Sequence, residues 1–407
     1  MPPIKTLVFL LVTAGMHFGL LSESPAFANT EKVVWSFGGS GDGSQPAGNL
    51  IVDAAGNFYG ATILGGANNT GTVFELSPDG KGGWTESLLY SFGPQGSGDG
   101  LQPQASLVMD KRGNLYGTTI SGGSNNYGTV FQLSPKVGGG WTETILYDFA
   151  PTGDGRYPTT DLVLDGNGNL YGTTGSGGTK FGGTVFQLTP GSTGWTETIL
   201  YNFPNGSQPD TGLMWREVGV NLYGVTQNGG NGLGNVFRLW HNPTGWVERS
   251  IHNFDNLHGN PQTGGNLVED QHLTIYGASN GGCANGTGGV WELAHNPGKP
   301  STYQLLYSFG AENSGDGNYP QSGVILGSNG TLYGTTGFGG LSFLGGTVFA
   351  LTRSQHNWQE TILYKFTGGN DGGAPGGQLI LDNQGNLYGV ALRGGTYGGG
   401  VVFEVMP

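Results

Sequence analysis

Repetition constrains this chain more than any other feature. The block Gly-Asn-Leu-Tyr-Gly occurs at 113–117, 168–172 and 385–389, with variants around Tyr59, Tyr223, Tyr276 and Tyr333. Tyr59, Tyr116, Tyr171, Tyr223, Tyr276, Tyr333 and Tyr388 are spaced 57, 55, 52, 53, 57 and 55 residues apart. A chain of 407 residues would ordinarily suggest two or three domains at ~150 residues each. A period near 54 residues instead points to seven copies of one supersecondary unit.

Each unit holds four short runs with strand character separated by turn residues. In the second unit these are 106–110, 114–119, 129–134 and 141–149. The fourth run alternates most clearly, which predicts Trp141, Glu143, Ile145, Tyr147 and Phe149 on one face and Thr142, Thr144, Leu146 and Asp148 on the other. No sustained helical period occurs beyond the N-terminal segment, so the fold class is all-β. A four-stranded sheet cannot bury both faces alone, and radial packing of seven such units gives a seven-bladed β-propeller of four-stranded antiparallel blades. The seventh unit runs out after its third strand, at 401–405. Glu31, Val33, Trp35 and Phe37 match the fourth-strand pattern with no first three strands before them. The N-terminal strand is therefore expected to complete the last blade, pairing edges that would otherwise stay open.

Composition narrows the function classes. The chain has 15 Lys and Arg against 28 Asp and Glu, a net charge of −13. That excludes nucleic acid as an expected partner and disfavours anionic lipid. Glycine (83) and proline (20) approach the level at which disorder is suspected, but 11% aromatic residues argue for a packed fold. A single cysteine, Cys283, permits no internal disulfide. Residues 1–28 read as a secretory signal peptide, with Lys5 at its start, an apolar core at 7–21 and Ala26-Phe27-Ala28 before the cleavage point. The mature protein, 29–407, is expected to be a single propeller, secreted (extracellular or periplasmic), monomeric, not inserted in a membrane, and without a C-terminal sorting tail.

In such a blade the chain runs from the inner strand to the outer one. One face of the ring carries the turns between first and second and between third and fourth strands. The other carries the glycine-rich loop between second and third strands and the crossover to the next blade, and this second face is the expected ligand side. Its crossovers repeat Gly-Asp-Gly followed by proline, at Asp42, Asp99, Asp154 and Asp316, more loosely at Asp371. These aspartates either ring the channel mouth for a cation or hydroxylated ligand, or cap tight turns. One Asp per loop falls short of a calcium site. Tyr127, Phe181, Phe343 and Tyr397 in the loops, with Tyr157 and Tyr319 in the crossovers, are candidate rings for stacking on sugars or a peptide; alternatively they fold back on their own loops. The Asp of the Asp-x-x-Gly-Asn turns (Asp53, Asp110, Asp165, Asp382) and the fourth-strand Glu31, Glu86, Glu143, Glu197, Glu248 and Glu360 read as structural. His241, His252, His258, His272 and His295 occupy different blade positions, so no metal site is expected, nor any cofactor, and Cys283 reads as an inert thiol. No nucleophile elbow, zinc-protease helix or phosphate loop occurs.

Written out, the unit is L-V-x-D-x-x-G-N-L-Y-G-T-T-x-x-G-G, then G-T-V-F-x-L-x-P, then G-W-T-E-T-x-L-Y-x-F, with 117–123, 128–135 and 140–149 as one clear copy. It resembles the GloVer (Gloeo-Verruco) tandem repeat of bacterial secreted "choice-of-anchor" proteins, and is more distantly similar to kelch propeller repeats. The resemblance implies export and repeat architecture and brings no catalytic activity with it. Many members carry a C-terminal anchor, and none is expected here. Its fourth and fifth units diverge most: 213–218 lacks the usual Asp, and Ser301 stands where Trp is expected. The expectation is an exported, non-catalytic recognition or envelope-associated module that binds a glycan or protein through its loop face. The alternative is a carbohydrate-active lyase or hydrolase at the channel mouth, which would need an acid and a base converging within about 5–10 Å.

Overall fold

The computed structural model describes residues 30–407 except 210, 217–220, 256–258, 260–264, 297, 311–314 and 355–356. The expected signal peptide and His258 lie outside the described residues. Seven four-stranded antiparallel sheets, six of them in chain order from inner to outer strand, form a seven-bladed β-propeller. The second blade comprises Val108–Met109, Leu115–Thr119, Thr129–Pro135 and Trp141–Asp148. The closing blade takes Gly373–Leu381, Leu387–Arg393 and Val401–Met406 from the C-terminal end of the chain and Thr30–Ser36 from the N-terminal end. Thr30 pairs with Met406 and Ser36 with Val401, so the expected shared blade is present.

The core lies in the seams between blades. At each seam an aromatic ring ending one blade's fourth strand meets a ring on the next blade's third strand. The pairs are Phe92–Phe131, Phe149–Phe186, Phe203–Phe237, Phe254–Trp291, Phe309–Phe349, Phe366–Phe403 and Phe37–Phe74, with centroids 4.9 to 5.4 Å apart. The last pair joins the seventh blade to the first through the N-terminal strand. These third-strand rings explain the glycine of the Leu-Tyr-Gly block: a Cβ on Gly117 would sit 2.6 Å from Phe131 Cζ.

Two details differ from the sequence expectation. The inner strand is interrupted: Gly100–Leu101 pairs with Ser121–Gly122, and pairing resumes only at Val108–Met109. Pro103 intervenes and offers no N–H to a ladder. The fourth strand does not keep its five alternating residues on one face. A bulge lets Phe131 pair with Ile145 but Val130 with Tyr147, inserting an extra residue. Trp141 therefore packs into the seam with the preceding blade, whereas Tyr147 and Phe149 pack into the seam with the following one.

Candidate functional site

The crossover aspartates sit inside their own loops. Asp99 accepts hydrogen bonds from the Tyr90 hydroxyl (2.8 Å), the Gly93 N–H (2.6 Å) and the Gly100 N–H (2.7 Å). Asp154 does the same with Tyr147, Ala150 and Gly155, and is buried. Asp316, also buried, accepts from Tyr307 and Gly310. Asp42 accepts from Gly43 N–H and, at 3.4 Å, from the Trp35 indole, and burial raises its pKa. This geometry holds the crossover in shape, since each carboxylate satisfies donors that an irregular loop leaves unpaired.

Behind each aspartate stands a fourth-strand glutamate of the next blade. Burial pushes Glu31, Glu86, Glu143, Glu197 and Glu360 up to about 7, and the neighbouring Asp371, Asp42, Asp99, Asp154 and Asp316 push in the same direction. Tyr201 donates to Glu248 (3.3 Å) and Tyr307 to Glu360 (3.4 Å) across their seams. A Tyr–Asp–Glu group recurs at most seams and reads as a structural motif, with Trp35 in place of the Tyr beside Asp42 and His252 and Tyr303 in place of the Tyr and Glu at one seam.

The axis is where the copies differ. The residue before the first-strand Leu or Val is Asn49, Ser106, Asp161, Gly212, Asn266, Gly323 and Gln378 in successive blades. Asp161 accepts from the Ser106 N–H (2.6 Å), Asn49 Nδ2 (3.1 Å) and Asn266 Nδ2 (2.6 Å). Asn49 N–H donates to Ser106 Oγ, the Gln378 N–H donates to Asn49 Oδ1, and Gln378 Nε2 donates to the Val324 carbonyl. Gly212 leaves room for Asn266, whose Oδ1 a Cβ there would meet at 2.1 Å and displace from the axis. Side chains from distant blades thus cross-link the axis around one carboxylate whose oxygens are already engaged.

On the glycine-rich face the aromatic candidates divide. Phe181, Phe343, Tyr397 and Tyr157 are 70, 73, 64 and 40% exposed. Tyr127 packs edge-on against Tyr157 at 5.8 Å and lies under the Arg156 guanidinium at 4.5 Å. Tyr319 meets Phe338, which in turn meets Phe343 at 5.3 Å. Tyr157, Tyr319 and Phe181 have φ of 58°, 54° and 63°, a region bulky residues seldom adopt. For Tyr157 the reason is visible: its N–H donates to the Tyr127 carbonyl of one blade while its carbonyl accepts from Gly175 of the next. Sequence reasoning missed Phe338, Leu341, Leu344 and Arg156 on this face; Leu341 and Leu344 are exposed beside Phe343. Their signal was the departure of one copy from its repeat, as with Phe338 where other blades carry Ser121 or Ser176.

The described histidines do not converge. His241 abuts Trp246, His252 stacks on Tyr303 at 4.2 Å, and His272 and His295 lie in separate turns. Among the described residues no group of three or more His, Cys, Asp or Glu could hold a metal ion. Cys283 is buried, which pushes its thiol up to about 12. Among the described residues no helix is long and apolar enough to cross a membrane.

Comparison with solved structures agrees on the fold. The chain is similar to a polysaccharide lyase, Uly1 (9% identity, 90% of this chain and 91% of that one, TM-score 0.52). It is also similar to an ancestral GH74 enzyme (11% identity, 89% of this chain and 50% of that one, TM-score 0.54). A third similar structure is a Bacteroides uniformis protein assigned as a 6-phosphogluconolactonase (14% identity, 77% and 83%, TM-score 0.51). Such identities carry the architecture alone. No curated protein matches. The model of the Gloeobacter/Verrucomicrobia repeat matches residues 14–237, 81–291 and 219–407, which together span nearly the whole chain. With its seven repeat units and their shared aromatic seams, the chain belongs to the Gloeobacter/Verrucomicrobia repeat family.

Proposed function

We propose that the protein is an exported recognition module that holds a glycan or a protein on its glycine-rich loop face, without catalysis. The observation that carries this reading is the set of rings Phe181, Phe343, Tyr397 and Tyr157 standing exposed on one face of the ring. Rigid rings on a polar surface stack on sugars or fill partner pockets at low entropic cost. Asp42, Asp99, Asp154 and Asp316 belong to the site as the groups that set the loops presenting those rings. Asp161, whose oxygens accept from three donors at the axis, is committed to holding the blades together rather than to proton transfer, which favours binding over a lyase or hydrolase reaction.

The test is a glycan array, with a polysaccharide-degradation screen in parallel, on purified 29–407. Retention of a glycan that is not degraded, weakened at least about 10-fold by Phe181→Ala or Phe343→Ala, is the expected result; losing one central aromatic contact is worth ~1.4 kcal/mol or more. Degradation of the bound polysaccharide, or retention unaffected by both substitutions, would contradict it.

A further inference from the structure

The seam between the fourth and fifth blades breaks the repeat at several positions together. In five blades a Trp opens the fourth strand (Trp84, Trp141, Trp195, Trp246, Trp358) and packs into the seam with the preceding blade, as Trp195 does beside Tyr116. The fifth blade has Ser301 there. The Tyr and Glu that face each other across other seams are replaced here by the stacked His252 and Tyr303. Where other turns carry an Asp that accepts from the repeat Tyr, the fourth blade carries Arg216, whose guanidinium lies over the Tyr223 ring at 4.7 Å.

A cavity of about 680 Å³ lies at this seam, with Ser301 in its lining. Arg216, Arg238, Arg249, Lys299 and His295 line it, and no carboxylate is among its described lining residues. Four of the 15 Lys and Arg of a chain with net charge −13 therefore gather in one place. Glu269 takes up Arg216 in a two-pronged pair (2.9 and 2.6 Å), the one salt bridge among the described residues. Arg238 and Arg249 are direct cross-strand partners. Like charges placed opposite each other destabilise a sheet, and local rules are broken in this way where a ligand supplies the compensation. Ile275 and Leu293 give the cavity an apolar wall.

The geometry points to an anion-binding site: we propose that this cavity takes a small ligand bearing a carboxylate, sulfate or phosphate group, whose oxygens bridge Arg238 and Arg249. Guanidinium forks match planar or tetrahedral oxyanions in paired hydrogen bonds. The site lies on the face opposite the glycine-rich loops, among the turns between first and second and between third and fourth strands, and is independent of the proposed recognition face.

Calorimetric titration of 29–407 with trigalacturonate, a sulfated disaccharide and inorganic pyrophosphate, with maltotriose as neutral control, tests it. At least one anionic probe should bind one-to-one, more weakly as salt rises, and maltotriose should not; the probe that binds identifies the source of the oxyanion. Arg249→Gln should weaken that binding at least 10-fold while raising the melting temperature of the free protein, because it relieves the Arg238 repulsion. Ser301→Trp should narrow the cavity and weaken binding at least 10-fold in a protein that still melts cooperatively. Phe181→Ala, on the other face, should leave binding unchanged. The proposal is overturned if no anionic probe binds, if maltotriose binds equally well, if Arg249→Gln and Ser301→Trp both retain full affinity, or if Phe181→Ala removes the binding.

Discussion

At the scale of single residues, the repeated glycine of Leu-Tyr-Gly is there for contact rather than for backbone freedom. In all seven blades a Cβ at this position, from Gly60 to Gly389, would lie 2.3 to 2.6 Å from an atom of the third-strand Phe or of Trp291. That ring is itself fully buried against the closing ring of the preceding blade, so it has nowhere to retreat. Gly117→Ala is expected to destabilise the protein by about 1–3 kcal/mol through overpacking. Gly166→Ala, where a Cβ meets nothing within 4 Å, should change the urea midpoint little. Equal midpoints for the two variants would contradict the packing account. The glycine was visible in the sequence as part of the repeat; its reason was not, because the ring it accommodates lies about fourteen residues away on a neighbouring strand.

At the scale of the element, the fourth strand shows what periodicity can and cannot convey. Its alternation marked it as a strand and linked Thr30–Ser36 to the others. The bulge beside Ile145 was hidden, because an inserted residue preserves the apolar count while moving Tyr147 to the opposite seam. That crossing places each tyrosine near the glutamate of the next blade. Raised carboxyls there make stability depend on pH in a definite direction. Glu143 and Glu197 rise from 4.5 to about 7 in the folded chain. Between those values the folded state holds protons that the unfolded state has lost, so stability is full below pH 4.5, falls as pH rises to about 7, and is level above. The urea midpoint should therefore be lower at pH 7.5 than at pH 5, and Glu143→Gln with Glu197→Gln should reduce the difference. A midpoint that rises over this range would contradict the assignment.

At the scale of the whole molecule, seven units and the shared blade were legible because tyrosine spacing counts the blades and the unmatched ends complement each other. The candidate sites were less legible. The loop-face rings could be named from sequence, but whether Phe181 projects or Tyr127 folds onto Tyr157 depends on neighbouring loops. The axial cross-links of Asp161 join positions 55, 105 and 112 residues apart, and no local pattern announces them. The seam at Ser301 was visible as a departure from the repeat; that it opens a basic cavity required Arg216 and Arg238 from the preceding blade.

Closure of the ring by the N-terminal strand is the claim on which the seams, the axis and both faces depend. The most direct test is the melting temperature of a chain lacking 30–37, compared with the complete 29–407. The strand contributes the buried Val34 and Phe37 and the Phe37–Phe74 contact that joins the last blade to the first. Its loss is predicted to lower the melting temperature by about 10 °C or more, with recovery when a peptide of residues 30–37 is added in excess. An unchanged melting temperature would contradict a ring closed in this way.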